Sequence, residues 1–140
     1  MSATEIAMRI LRGDPGVIAY VSGRVYPGVA PQDVEPPYIV VSLISEEQDV
    51  VLNGHLDGYD SRVSFAIVAP FYNLANAIGE EVKACFSGVV HREMTIDEEE
   101  SPPPTVAVTA FKTSADFIDH NEARTNFRRI QDFRIRWARQ

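Results

Sequence analysis

A proline-bearing stretch in the first third of this chain constrains its fold more than any other feature of the sequence. The stretch reads Gly23-Arg24-Val25-Tyr26-Pro27-Gly28-Val29-Ala30-Pro31-Gln32 and resumes, after a short gap, as Pro36-Pro37-Tyr38-Ile39-Val40-Val41. Each proline fixes its own φ at about −65° and pushes the preceding residue toward an extended conformation. We therefore expect a stiff arm over 25–37 that crosses a partner's surface and enters a β-strand at Tyr38. The stretch contains no nucleophile, no metal-ligand cluster and no phosphate-binding loop.

Length and composition are those of one globular domain. The chain has 140 residues, of which 45% are hydrophobic and 24% charged, and we expect a single domain over 1–140. Cys85 is the only cysteine, so no disulfide can form within the chain, and we expect a buried structural thiol. The first residues lack the basic and apolar segments of a signal peptide, and no apolar run approaches the roughly 18 residues of a membrane span. We expect no membrane partner.

Charge is distributed unevenly along the sequence. The net charge is −7, but residues 124–140 hold six arginines against one aspartate and carry +5, which leaves −12 for residues 1–123. Eleven of the 13 basic residues are arginine, the side chain best suited to ion pairs at interfaces. This asymmetry favours self-assembly, or docking through complementary faces, over free nucleic-acid binding.

The spacing of apolar residues predicts three helices. The first ends near Gly13, and the second covers 14–23 with Asp14 as its N-cap and a proline at its first position. The third is an amphipathic helix over 73–88, with Asn73 as its cap and a glycine at its end.

Alternating or β-branched apolar runs predict the strands, which cover 38–44, 62–69, 89–96, 105–111 with a continuation toward Ile118, and 127–137. Residues 45–59 are polar and glycine-bearing, so we interpret them as a long flexible connection. Residues 97–104 form an acidic, proline-rich loop, and 119–122 have the composition of a turn. This order predicts an α+β fold: a mostly antiparallel sheet of about four to five strands, helices packed on one face, and extended loops.

Catalytic and metal-binding interpretations find little support. The three histidines have no second histidine or cysteine at metal-ligand spacing, so we expect no metal and no cofactor. A small enzyme with a cleft built from His91, Glu93 and Asp116 is one alternative, which a deep pocket holding all three would favour. The arginines of the last strand make a nucleic-acid-binding accessory protein a second alternative, and the net charge of −7 counts against it.

The order of several short motifs resembles the phage tail-completion (tail-terminator, head–tail joining) protein family over about residues 6–137. The motifs are VSGRVYP over 21–27, APQ over 30–32, PPYIVV over 36–41, LxG over 52–54, SRVSFAIVA over 61–69, NLANAIGEEVKACF over 73–86 and a closing DxxD…RRxxDFxIxW pattern from Asp116 to Trp137. The stretch over 97–104 departs from the family's pattern.

The resemblance implies a small, non-enzymatic structural protein of a tailed phage, a prophage or a related particle. Such proteins form a ring, commonly hexameric, on the head-proximal end of the tail tube, where they end tube polymerisation and join the tail to the head. The implied partners are further copies of the chain, the tail-tube protein and a head connector or stopper protein. Phage DNA would pass through the lumen without specific binding. The protein would reside in the virion neck, and in the host cytoplasm during assembly. Another neck ring, a connector or stopper, is the closest alternative.

Two groups of residues are predicted to make contacts, and neither group is catalytic. The subunit or partner interface is predicted to include Arg24, Tyr26, Pro27, Pro31, Gln32, Pro37, Arg128, Arg134 and Arg136. The acidic run of Asp97, Glu98, Glu99 and Glu100 is predicted to be an exposed loop that self-repulsion holds open. The alternative, if the protein forms a ring, is that copies of this loop line the lumen or meet a neighbour's arginines. A negatively charged wall does not hold DNA phosphates.

Overall fold

A computed structural model describes residues 3–51, 54–90, 92–95, 105–112, 116–121 and 125–139, with side chains described except at 49–51, 54–57 and 139. Within these residues the chain forms three helices and seven strands. In chain order they are α1 (Ala3–Arg12), α2 (Pro15–Val21), β1 (Val25–Pro27), β2 (Tyr38–Val51), β3 (Gly54–Ala69), α3 (Tyr72–Ser87), β4 (Arg92–Thr95), β5 (Thr105–Lys112), β6 (Phe117–His120) and β7 (Phe127–Arg139).

The strands form one mixed sheet in the order β1-β2-β3-β7-β5-β4, and β6 pairs with the first part of β7. β1 lies parallel to β2, with Val25 opposite Ile39, while the other described pairings are antiparallel. The expectation of four to five mostly antiparallel strands is therefore corrected. The proline stretch contributes a parallel edge strand. The run predicted over 105–118 divides into β5 and β6, because these strands pair with different parts of β7.

β2 and β3 form a long hairpin that extends past the buried core. Residues 45–51 and 54–59 belong to these strands, so the prediction of a flexible connection over 45–59 is wrong for them. The polar side chains of this segment are typical of a loop, and Glu46 and Glu47 are indeed exposed. The backbone nevertheless pairs across the hairpin, with two register shifts, because ladder hydrogen bonds do not depend on side-chain polarity. Residues 52 and 53 lie outside the described part of the chain.

The helices form where the spacing predicts them. α2 begins after Asp14, whose Oδ1 accepts a hydrogen bond from the Gly16 N–H at 2.9 Å. α3 ends at Gly88, as expected. The prediction of Asn73 as its N-cap is wrong, because Phe71 holds the cap position with an extended backbone (φ −131°, ψ 145°) and places Asn73 in the first turn.

Two boundaries in the second half of the chain are also corrected. The strand predicted over 89–96 is described only as Arg92–Thr95, and residues 91 and 96 lie outside the described residues. The turn predicted over 119–122 is wrong at Asp119 and His120, which belong to β6 because they pair with Arg128 and Phe127.

The core lies between the helices and one face of the sheet. The inward side chains of β3 are fully buried, in the alternation that the sequence predicts: Val63, Phe65, Ile67 and Ala69. Phe86 of α3 meets Phe65 and Phe133 with ring centroids 5.1 Å apart in each pair. All three helices contribute their buried residues to the same cluster, so they share this face of the sheet. None of the helices described here is long and apolar enough to cross a membrane.

Candidate interaction surface

The face of the sheet opposite the helices carries an apolar row that crosses five strands. Its members are register partners on β1, β2, β3, β7 and β6, in that order: Tyr26, Val40, Ala66, Ile130 and Phe117. Phe117 is 56% exposed, and the other four are half-buried. We call this side of the sheet the helix-free face and these five residues the apolar row. An apolar row left accessible on a sheet is typical of a surface that contacts a partner.

Ion pairs flank the apolar row on the helix-free face. Arg128 Nε and Nη2 donate to the two carboxylate oxygens of Asp119 at 3.1 and 2.6 Å. Arg134 makes the same two-point contact with Asp60, and Arg136 Nε lies 3.5 Å from Asp60 Oδ2. Arg128, Arg134 and Arg136 therefore already have acidic partners within the chain. The side chains of Arg128 and Arg136 remain 53% and 58% exposed and can still face a neighbour.

Hydrogen bonds from these arginines lower the pKa values of the carboxylates that they contact. The bond from Arg134 lowers the pKa of Asp60, and the bond from Arg128 lowers the pKa of Asp119. Both carboxylates are therefore ionised at neutral pH, which keeps the two pairs charge-assisted.

A buried polar cluster connects β7 to α3 on the other side of the sheet. The Arg129 side chain is 6% exposed. Its Nη1 donates to the carbonyl and side-chain oxygens of Asn76 at 2.8 and 3.0 Å, and its Nη2 donates to Glu80 Oε1 at 3.2 Å and Asp116 Oδ2 at 2.5 Å. Lys112 Nζ lies 2.5 Å from Asp116 Oδ1. We call these five residues the Arg129 cluster; its role is to hold a helix, two strands and the start of β6 together.

Gly79 allows this close approach between α3 and β7. A Cβ at position 79 would lie 2.6 Å from both Cδ and Cζ of Arg129, so a larger residue would displace the guanidinium. Gln131, which is fully buried, donates from Nε2 to the Gly79 carbonyl at 3.0 Å. The sequence signal for this cluster was the alternation in β7, which puts Arg129 and Gln131 on the same face as Phe133.

Acid sensitivity is expected from the Arg129 cluster. Burial raises the pKa of Asp116, but hydrogen bonds from Lys112, Arg129 and Gln131 outweigh this and hold it below its usual value. A carboxylate with a depressed pKa stabilises the fold above its unfolded pKa of about 3.9, and this contribution is lost as the pH falls through the folded pKa. We expect the free energy of unfolding to fall below about pH 4, and to fall less in Asp116→Asn. Denaturant titrations across this range measure both, and identical slopes for the two proteins would contradict the assignment.

The proline stretch is only partly a free arm. Arg24 Nε donates to the Pro37 carbonyl at 2.9 Å, which ties the turn before β1 to the start of β2. Val25 is fully buried, and the Tyr26 ring lies edge-on to Tyr38 at 6.4 Å. The other predicted contact residues of this stretch are exposed: Pro27, Pro31 and Gln32. The acidic run from Asp97 to Glu100 lies outside the described residues.

The structure does not bring together the residues of the alternative catalytic cleft. Glu93 on β4 lies level with Ala138 on β7, through their common partner Ala107. Asp116 contacts Lys112 on β5, five residues from Ala107, and Arg129 on β7, nine residues from Ala138. The strand positions that it contacts therefore lie roughly 16–30 Å from the level of Glu93. His91 lies outside the described residues.

Cys85 lies on α3, half-buried against the core. Its Sγ donates weakly to the Ile10 carbonyl at 3.7 Å. Burial, together with the nearby Asp14, raises the pKa of this thiol to about 12. The thiol is therefore protonated at neutral pH and a poor nucleophile, as expected for a structural cysteine.

Comparison with known proteins identifies the family. A solved chain from a structure described as "Virion of native gene transfer agent (GTA) particle" has a similar fold, with a TM-score of 0.62 and 19% identity over 99% of both chains. No curated protein sequence matches this chain. The family model described as "Tail completion protein gp17" matches residues 8–138, which confirms the resemblance seen in the motif order. The chain belongs to the tail completion protein gp17 family.

Proposed function

We propose that this protein is a structural component of the neck of a tailed phage or phage-like particle. Copies of it form a ring on the head-proximal end of the tail tube, end the growth of the tube and join the tail to the head connector. Membership of the tail completion family over residues 8–138 is the observation that carries this proposal. The similar fold of a chain in a gene transfer agent virion supports it. The copies are made and assembled in the host cytoplasm and then reside in the virion.

Ring formation requires two different surfaces on each copy, because a head-to-tail contact joins unlike patches. The helix-free face with its apolar row is one such surface. The opposite side of the molecule provides the other, since Phe71 and Tyr72 at the start of α3 are 67% and 54% exposed. In our proposal the helix-free face of one copy packs on the helix side of the next. Six copies close the ring when the rotation between neighbours is one sixth of a full turn.

The charged groups around these surfaces set the register of the contact. Exposed Arg128 and Arg136 flank the apolar row, and the hairpin of β2 and β3 exposes Glu46 and Glu47. Opposite charges across an interface contribute more to orientation and specificity than to affinity. The protein thus acts through shape and charge, with DNA passing through the ring unbound. Turnover of a small molecule that depends on its own side chains would contradict this.

Substitution of Ile130 by glutamate is expected to block ring assembly. Ile130 lies in the middle of the apolar row, between Ala66 and Phe117, so docking would bury an unpaired charge. We expect at least a tenfold loss of self-association by light scattering or native mass spectrometry, with the circular dichroism spectrum retained, since this side chain faces away from the core. The matched control is Val90→Glu, at a 63% exposed apolar residue outside both surfaces, which should assemble normally. Equal assembly of the two variants would exclude the helix-free face.

The position in the particle is tested with the tail-tube protein. A tail terminator added to growing tubes should cap them at a defined end and stop their elongation. A connector or stopper ring should bind filled heads first and leave tube growth unchanged, which an order-of-addition experiment detects. A chain that stays monomeric and neither binds nor blocks tubes would contradict the proposed function.

A further inference from the structure

Strand β6 lies in the sheet without any buried side chain of its own. Phe117 and His120 are exposed, and Ile118 and Asp119 are half-buried. Within the part of the chain that the structure describes, β7 is the strand with which β6 pairs. A strand with one partner and no core face gains little stability by itself, so its position depends on contacts at its ends.

Asp116, the residue directly before β6, supplies a buried attachment. Its side chain is 15% exposed. Its Oδ2 accepts hydrogen bonds from Arg129 Nη2 at 2.5 Å and from Gln131 Nε2 at 3.2 Å, and its Oδ1 lies 2.5 Å from Lys112 Nζ. Arg129 and Gln131 are buried in β7, and Lys112 ends β5. A single carboxylate therefore fixes the start of β6 to two other strands.

The other side-chain contacts that hold β6 and the turn after it lie at the surface. Asp119 pairs with Arg128, but their side chains are 40% and 53% exposed, and an exposed ion pair adds little to stability. Beyond the strand, Asn121 Oδ1 accepts hydrogen bonds from the Thr125 and Asn126 N–H groups at 2.9 and 3.2 Å, and these bonds are also exposed. Charge-assisted bonds to a buried carboxylate are stronger, so the carboxylate that precedes β6 is its main anchor.

The position of β6 matters for the helix-free face, because Phe117 follows Asp116 directly. Phe117 is the last member of the apolar row, and it lies beside Ile130 only while β6 pairs with β7. We propose that Asp116 is a positioning residue for this face: its buried contacts hold β6 on β7, and so hold Phe117 in the surface through which copies associate. This inference rests on the proposed function, since it concerns the same surface.

Amide hydrogen exchange, measured by NMR on the dilute monomer, tests the anchor. The Asn121 N–H donates to the Asn126 carbonyl. Hydrogen-bonded pairs alternate along an antiparallel ladder, so the amides of Phe117 and Asp119 are the protected ones in β6. We expect both to have lower protection factors than the Phe65 amide in the centre of β3, because β6 opens without the core. Equal protection in β6 and at Phe65, or no protection in β6, would contradict the inference.

Asp116→Asn is expected to lower the protection factors of the β6 amides about tenfold. Asparagine keeps the shape of the side chain but removes the charge that strengthens the bonds to Arg129 and Lys112. The matched control is Asp119→Asn, which makes the same chemical change in an exposed ion pair and should lower these protection factors only about twofold. Equal effects of the two substitutions would show that the buried contacts do not anchor the strand.

A substitution in the core separates the anchoring of β6 from the stability of the whole domain. Ile39→Val removes one methylene group from a fully buried side chain of β2. It should lower the protection factor of the Phe65 amide and leave those of β6 unchanged, because opening of β6 does not expose Ile39. If Asp116→Asn also left the β6 amides unchanged while lowering the protection of Phe65, Asp116 would stabilise only the body of the domain, and the inference would fail.

Asp116→Lys tests the consequence for association. A third cation beside Arg129 and Lys112 should repel both, so we expect β6 to lose its protection. A surface formed in only a fraction of the molecules weakens the apparent affinity by that fraction. We therefore expect at least tenfold weaker self-association by light scattering, whereas Asp116→Asn, with β6 still mostly paired, should associate within about twofold of the unsubstituted chain. The control is Glu5→Lys, the same charge change at an exposed acid of α1, which should associate normally.

The outcomes distinguish this inference from the proposed function. A chain that assembles, and in which Asp116→Lys and Glu5→Lys associate equally well, would overturn the role of Asp116 alone. If Asp116→Lys does not fold, the exchange measurements on Asp116→Asn decide the inference. A chain that stays monomeric at all concentrations would overturn the proposed function and the assembly role of Asp116 together.

Discussion

Phe86→Ala is expected to lower the free energy of unfolding by about 3–5 kcal/mol, the range for a buried Phe replaced by alanine. Phe86 is fully buried and lies with its ring centroid 5.1 Å from both Phe65 and Phe133. Those two rings are 5.2 Å apart, so the three form a closed triangle between α3, β3 and β7. Removing one ring leaves a cavity that the two remaining rings cannot fill, because each is held by its own strand.

The measurement is a thermal or denaturant melt of the purified chain in dilute solution. A loss of this size lowers Tm by roughly 10–20 °C for a chain of this length. The matched control is Phe71→Ala, at a phenylalanine that is 67% exposed and should cost under about 0.5 kcal/mol. If the two substitutions lowered Tm equally, the phenylalanine triangle would not be the centre of the core.

Arg129→Met is expected to cost about 3–5 kcal/mol, the range for removing one partner from a buried ion pair. Methionine replaces much of the apolar length of the side chain, so the loss reports mainly on charge and hydrogen bonding. Asp116, whose side chain is only 15% exposed, would lose one of its two 2.5 Å ion-pair contacts and keep the one with Lys112. The carbonyl of Asn76 and the carboxylate of Glu80 would also lose a donor.

The neighbouring arginine is the control for this substitution. Arg128 is 53% exposed and paired with an exposed aspartate, so Arg128→Met should cost under about 1 kcal/mol. A double-mutant cycle that combines Arg129→Met with Asp116→Asn measures the coupling between these two side chains, which should fall in the range of about 0.5–3 kcal/mol for residues in direct contact. Comparable losses for Arg128→Met and Arg129→Met would show that burial does not distinguish the two arginines.

Those two adjacent arginines illustrate what could be predicted about the candidate surface. The alternation of β7 predicts that Phe133 and Trp137 face the core, and both are buried. The same alternation puts Arg129 on the buried face and Arg128 on the open one. The charge count of the last strand could not separate them, because it treats each arginine alike. The ion partners Asp60 and Asp119 come from β3 and β6, and only the pairing of strands brings them to Arg134 and Arg128.

The long hairpin illustrates which part of the fold could not be predicted from the sequence. Polarity predicts a loop wherever a strand has no buried face, and the residues around Glu46 and Glu47 have none. They form a strand because they pair with β3, whose residues lie some fifteen positions further along the chain. β1 is a similar case, since Val25 pairs in parallel with Ile39 across the proline stretch.

By itself the sequence determined the local elements and the family. Apolar periodicity places the three helices and the central strand, caps and glycines place most helix ends, and the order of short motifs identifies the tail completion family. These features depend on residues near one another in the chain. Only the tertiary structure decided the apolar row and the Arg129 cluster. Each of these joins residues from several elements, and their proximity is set by sheet register and helix packing rather than by local sequence.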